Sequence, residues 1–205
     1  MVKRSLMLAP SELLWAFIGL MLTILGTWME TFTLNPGWLW RHGGSEVLSL
    51  GVSFQVGAVL LTGCVGGKNA AALAQMAYLV LGLALFQAFG LPVFTQGGGL
   101  SYLREPGFGY LLGFVPAGWL AGYLAFLWPP SLETLAFSAL CGLGLIHGFG
   151  IVYLTLAIPL GWLEGAAVAY GEVLINYSIL AIPGHLVLVC AVAVLSLALR
   201  RALFY

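Results

Sequence analysis

Apolar residues in this sequence are gathered into six stretches, separated by shorter segments that hold most of the polar residues. The stretches cover approximately residues 13–28, 51–66, 70–89, 110–127, 135–158 and 183–199. A helix that crosses a bilayer needs about 20 mostly apolar residues. The pattern therefore predicts an all-α integral membrane protein, a six-transmembrane-helix bundle that forms a single domain over residues 1–205.

Composition supports a lipid environment. Of the 205 residues, 61% are hydrophobic and only 7% are charged, whereas soluble domains carry about 25% charged residues. Seven basic and seven acidic residues give a net charge of zero, so no basic surface for a nucleic-acid partner is predicted.

The basic residues predict an orientation in the cell membrane. Cytoplasmic loops of membrane proteins carry an excess of Lys and Arg. With both termini in the cytoplasm, five basic residues lie inside and two lie outside; the inner ones are Lys3, Arg4, Lys68, Arg200 and Arg201, and the outer ones are Arg41 and Arg104. This multi-pass topology places the long polar segments on the outer face, where we expect a binding site.

Three polar segments interrupt the apolar pattern. Residues 30–46 are polar and aromatic, and residues 90–109 are rich in Gly and Pro. Residues 161–182 contain Glu164, Glu172 and Asn176 and are too polar for an ordinary lipid-facing span. We expect a re-entrant or interfacial helix in the last of these segments.

Motifs of common enzymes are absent from the sequence. There is no HExxH, no GxSxG and no phosphate-binding loop. Cys64, Cys141 and Cys190 each stand alone in an apolar run, so packing is the expected role and neither a metal nor a cofactor is predicted.

A more specific pattern begins at Gln55, which opens the second apolar stretch. The third stretch ends in GLPVF at residues 90–94, a Gly-rich loop leads to Pro106, and residues 109–114 read GYLLGF. This order of motifs resembles the biotin-specific substrate-binding components of energy-coupling-factor transporters. The resemblance implies a membrane protein that binds biotin, with a transmembrane coupling protein and two ABC-type ATPases as partners.

The last apolar stretch departs from that family. Its members usually carry Pro-Gly-Asp-x-x-Lys there, with the Asp and Lys in the ligand site, whereas this sequence has Pro183, Gly184, His185 and Leu188. A substrate-binding component for another small vitamin is therefore an open alternative.

The chemistry of biotin selects the candidate site residues. The ureido ring needs donors and acceptors, the thiophane needs an apolar wall, and the carboxylate needs a positive or donating group. The amides of Gln55, Gln96 and Asn176 are the polar candidates, with rings from Tyr102, Tyr110, Phe94 and Trp38, a guanidinium from Arg104 or Arg41, and the imidazole of His185.

Two interpretations from other classes stay open at this point. His147 lies inside the fifth stretch, where polar residues are costly, and together with His185 it could belong to a membrane enzyme. A structural subunit without a ligand is the other alternative, and it would show no cavity on the outer face.

Overall fold

The structure is a computed structural model that describes residues 9–34, 47–94, 97–163 and 170–204. The described elements are, in chain order, α1 (Pro10–Thr27), β1 (Glu30–Leu34), β2 (Val47–Ser53), α2 (Gln55–Gly66), α3 (Lys68–Phe89), a 3₁₀ helix (Leu100–Arg104), α4 (Phe108–Ala125), α5 (Leu132–Ala157), α6 (Tyr170–Leu174), a π-helical turn (Ile175–Ile179) and α7 (Ile182–Phe204). Apart from α6 and the short turns, these helices form one bundle, which confirms the predicted fold class.

Lipid-facing surfaces are visible on the outer helices. Large apolar side chains are more than half exposed on α1, α3 and α5, among them Phe17, Val80 and Leu156. Within the described part of the chain, five helical segments are long and apolar enough to cross a membrane. The chain is therefore a multi-pass membrane protein.

Helix α2 is the short central helix of the bundle. Its 12 residues span about 18 Å at 1.5 Å per residue, less than the roughly 30 Å of a bilayer core. Val59, Leu60 and Cys64 on this helix are fully buried, because α1, α3, α4, α5 and α7 all contact it. Helix α2 therefore lies at the centre of the bundle, surrounded by the other helices.

Strands β1 and β2 form an antiparallel hairpin that the sequence analysis did not predict. Phe32 pairs with Ser49, and Leu34 pairs with Val47. Residues 51–53, which we assigned to the second apolar stretch, belong to β2, and the helix begins at Gln55. Short apolar runs do not distinguish strand from helix by composition alone.

Glycines let α4 and α5 approach closely. A Cβ atom built on Gly150 of α5 would lie 2.4 Å from Cε1 of Tyr110 on α4, and one on Gly109 would lie 2.3 Å from Cβ of Tyr153. Small residues at helix contacts are the usual way in which backbones come close in lipid. Gly150 thus provides the space in which the Tyr110 ring lies.

Changing Gly150 to Ala is expected to destabilise the protein and to weaken ligand binding. The new methyl group displaces the Tyr110 ring, and such overpacking costs roughly 1–3 kcal/mol. Gly148→Ala is the matched control, because a Cβ atom there meets nothing within 4 Å. Thermal unfolding in detergent checks this; equal midpoints for the two variants would contradict the assigned contact.

Candidate functional site

A cavity of about 540 Å³ opens where α1 ends and where α2, α4 and α7 begin. Its lining residues are Thr27, Trp28, Val52, Ser53, Gln55, Val56, Tyr102, Gly107, Tyr110, Leu111, Phe114, Ile146, Asn176, Tyr177, Ala181 and His185. None of these described lining residues is Asp, Glu, Lys or Arg. The cavity therefore offers neutral donors and acceptors between aromatic and aliphatic walls.

Five of the predicted site residues line this cavity, although they are far apart in the sequence. They are Gln55, Tyr102, Tyr110, Asn176 and His185. Among the described candidates, Phe94 and Arg104 are not lining residues; Arg104 lies over the Trp162 ring, with 5.5 Å between Cζ and the ring centroid. Gln96, Trp38 and Arg41 lie outside the described residues.

Gln55 is held at the first turn of α2 by two hydroxyl groups. Its Oε1 lies 3.1 Å from Oγ1 of Thr27 and 3.3 Å from the Tyr78 hydroxyl, and each of these can donate to it. The two hydroxyls are themselves 3.0 Å apart. With Oε1 engaged, the amide nitrogen of Gln55 is the end left to donate to a ligand.

Aromatic rings support the cavity wall at Tyr102. Phe94 is fully buried behind it, with ring centroids 4.6 Å apart, and also meets Tyr78 edge-on. The predicted role of Phe94 in the wall is therefore indirect. Burial raises the pKa of the Tyr102 hydroxyl, so this group is a neutral donor and acceptor.

The Gly-rich loop lies against α3. The backbone N–H of Gly99 donates to the carbonyl of Gly82 at 3.1 Å, and a Cβ atom on Gly98 would lie 2.5 Å from the same oxygen. Gly99 has a φ of +79°, in the left-handed region that favours glycine. Close backbone approach to α3 explains the glycines at these two positions.

A chain of hydrogen bonds starts on the cavity wall and returns to it. The Tyr110 hydroxyl lies 2.7 Å from Oγ of Ser178, and Oγ of Ser178 lies 3.2 Å from Nδ1 of His147. Nε2 of His147 then lies 3.2 Å from Nδ1 of His185. The two histidines that we singled out separately from the sequence are thus direct partners.

Sequence reasoning missed several polar residues of the site, chiefly Thr27, Ser53, Tyr177 and Ser178. Ser178 and Tyr177 lie in the π-helical turn, which changes the direction of side chains relative to an α-helix. No spacing rule predicts such a turn. Thr27 could have been predicted as a site residue from the sequence, because it is a polar residue at the end of an apolar helix.

Comparison with known proteins places the chain among membrane transport proteins. A family model described as the BioY family matches residues 8–204. An uncharacterized 21.2 kDa protein of Cyanophora paradoxa is 30% identical over 191 residues, which cover 93% of this chain and 95% of that protein.

Two further similarities concern proteins with a stated function. A probable biotin transporter BioY of Lysinibacillus sphaericus is 37% identical over 114 residues, or 55% of this chain and 55% of that protein. The crystal structure of the S-component for biotin from an ECF-type ABC transporter matches with a TM-score of 0.66 at 18% identity, and it covers 93% of this chain and 90% of that chain. The second similarity shows a shared fold. Since the family model matches nearly the whole sequence, this chain belongs to the BioY family.

Proposed function

We propose that this chain is the substrate-binding membrane component of a biotin uptake system. The carrying observation is the cavity, which gathers neutral hydrogen-bonding groups and rings at one end of a membrane bundle. Cavities of about 300–1,000 Å³ are typical for small ligands. The relatives named as biotin transporters identify the vitamin that we assign to it.

The neutral lining favours one orientation of biotin. The ureido ring is uncharged and matches amides, hydroxyls and an imidazole such as those of Gln55, Asn176 and His185. A carboxylate that is buried without a charged or hydrogen-bonded partner is strongly destabilised. We therefore place the ureido ring deep in the cavity and the carboxylate at its mouth. Arg104, Arg41 and Gln96 are its candidate partners from the sequence, and the last two lie outside the described residues.

Binding of biotin to the purified chain in detergent tests this proposal. Isothermal titration should show saturable binding at micromolar biotin, and a competition panel of other small vitamins addresses the alternative raised by His185 and Leu188. Absence of heat and of thermal protection at micromolar biotin would reject the assignment. Tighter binding of a different vitamin would keep the transport role and replace the ligand.

For the cell, we propose cytoplasmic N- and C-termini and a cavity that opens outward. We also propose a transmembrane coupling protein and two ABC-type ATPases as partners, in agreement with the lack of a phosphate-binding loop in this sequence. Radiolabelled biotin uptake by cells that express the chain alone, and then with a coupling module, tests the partnership.

Cysteine labelling of intact cells gives a prediction for the orientation. In a background without Cys64, Cys141 and Cys190, we expect Arg104→Cys to react with an impermeant maleimide from outside. Lys68→Cys, at the opposite end of the bundle, is expected to react only after permeabilisation. The reverse pattern would show that the cavity opens toward the cytoplasm.

The interpretation as a membrane enzyme is wrong. The family and the relatives with assigned functions are transport proteins. The histidine pair therefore needs a role in ligand binding or in structure.

A further inference from the structure

We infer that Tyr110, Ser178, His147 and His185 act as one reversible hydrogen-bond chain, in which Ser178 and His147 are positioning residues for the ligand. The inference rests on the proposed function and concerns how the site chooses its ligand. Tyr110 and His185, the two ends of the chain, line the cavity, whereas Ser178 and His147 lie behind its wall. Four helical segments contribute one residue each: α4, the π-helical turn, α5 and α7.

Proton counting shows why the links depend on one another. Two hydroxyls and two neutral imidazoles carry one exchangeable proton each, and the three links use three of these four protons. The fourth proton remains at one end of the chain. When Nε2 of His185 carries it, the Tyr110 oxygen is left as an acceptor; when Tyr110 keeps it, Nε2 of His185 accepts.

Ser178 couples the two ends of the hydrogen-bond chain, so that only one of them carries the fourth proton. Its side chain is 4% exposed, and its hydrogen-bond partners among the described residues are Tyr110 and His147. If both neighbours donated to Ser178, its own proton would be left buried without a partner, which is unfavourable. Ser178 therefore accepts from one neighbour and donates to the other, which gives the chain a single direction.

The hydrogen-bond chain determines which polar group of a ligand can bind in the cavity. A ligand that donates to one end must accept from the other end, so the site favours a neutral group with both N–H and C=O, such as a cyclic urea. A carboxylate and an ammonium group at the two ends would set these roles permanently. Here the ligand itself selects the direction.

Acid should disrupt this arrangement. One added proton leaves two protons for the two ends, so both ends become donors and the acceptor is lost. The titratable side chains that line the cavity or belong to the hydrogen-bond chain are His147, His185, Tyr102, Tyr110 and Tyr177. Cys64 on α2, Tyr170 and Glu172 on α6 and Cys190 on α7 do not line the cavity. A phenol does not take up a further proton at mildly acidic pH, so the imidazoles are the groups that do.

Biotin binding to the full-length chain between pH 4 and pH 8 tests the inference. We expect wild-type affinity to be constant near neutral pH and to fall in acid by about fivefold, the effect of one hydrogen bond. Ser178→Ala should weaken binding about fivefold at neutral pH and flatten the acid response. Ser178→Thr, which keeps the hydroxyl, should restore both properties.

A second measurement needs no variant at the site. In ¹⁵N-histidine spectra of the biotin-bound wild-type protein, His147 and His185 should carry the proton on the same ring nitrogen, either Nε2 in both or Nδ1 in both. Different tautomers for the two residues would overturn the hydrogen-bond chain. A Ser178→Ala variant with wild-type affinity and pH response would also overturn it. A wild-type protein that binds no biotin at any pH would instead overturn the proposed function.

Discussion

Replacing Ala181 with tryptophan is expected to reduce biotin binding by more than about 100-fold, or roughly 2.7 kcal/mol. Ala181 lines the cavity, is 9% exposed and immediately precedes α7. An indole at this position projects into space that the ligand would occupy. Because a cavity of about 540 Å³ can accommodate the indole, the variant should fold with little loss of stability.

Leu180→Trp is the matched control for this experiment. Leu180 is the adjacent residue, but its side chain is 62% exposed, so an indole there remains outside the cavity. Titration with biotin and thermal unfolding should be measured for both variants. If Ala181→Trp bound biotin with wild-type affinity, the ligand site would have to lie elsewhere in the chain.

The helices were predictable because the solvent is lipid. Long apolar runs such as the one that became α5 have few alternatives in a bilayer, where backbone groups must find partners within the same segment. Strand β2 had a weaker signal that could have been used, since Leu48, Leu50 and Val52 alternate with Ser and Gly. Alternation over a few residues is typical of strands, but the neighbouring apolar run concealed it.

The site was predictable as a set of residue types and not as a set of contacts. Gln55, Asn176 and His185 follow from the chemistry of the ligand and from the resemblance, and they do line the cavity. The contact between His147 and His185 depends on how α5 packs against α7, which no local pattern encodes. Arg104 shows the converse, because a suitable charge in a suitable loop lies against Trp162 and not on the cavity wall.

The polar side chains on and behind the cavity wall explain why some polar residues are needed inside this membrane bundle. Thr27 and Tyr78 lie within hydrogen-bond distance of the amide oxygen of Gln55, and His147 engages Nδ1 of His185. In both cases one polar atom of a lining residue is engaged within the protein, which leaves the Gln55 amide nitrogen and Nε2 of His185 for the ligand. The polar network therefore orients the groups that bind the ligand. This role explains why polar side chains are kept inside a membrane bundle, where they are energetically unfavourable.

Gln55 gives the sharpest test of that principle. Gln55→Leu keeps the volume of the side chain and removes the amide, so we expect biotin affinity to fall about 10- to 100-fold, or roughly 1.4–2.7 kcal/mol. Stability should change little, because the Tyr78 hydroxyl can then donate to Oγ1 of Thr27 at 3.0 Å, and Thr27 can donate to the carbonyl of Thr23 at 2.8 Å. Isothermal titration and thermal unfolding of the same preparation measure the two effects separately.

Gln75→Leu is the control for Gln55→Leu. Gln75 on α3 is fully buried, donates to Oγ1 of Thr23 at 3.1 Å and does not line the cavity. The two variants remove the same chemical group from the same bundle, but only Gln55 can contact the ligand. We therefore expect Gln75→Leu to change stability without changing affinity. If both variants weakened binding equally, Gln55 would act through the fold of the bundle, and direct recognition by its amide would be excluded.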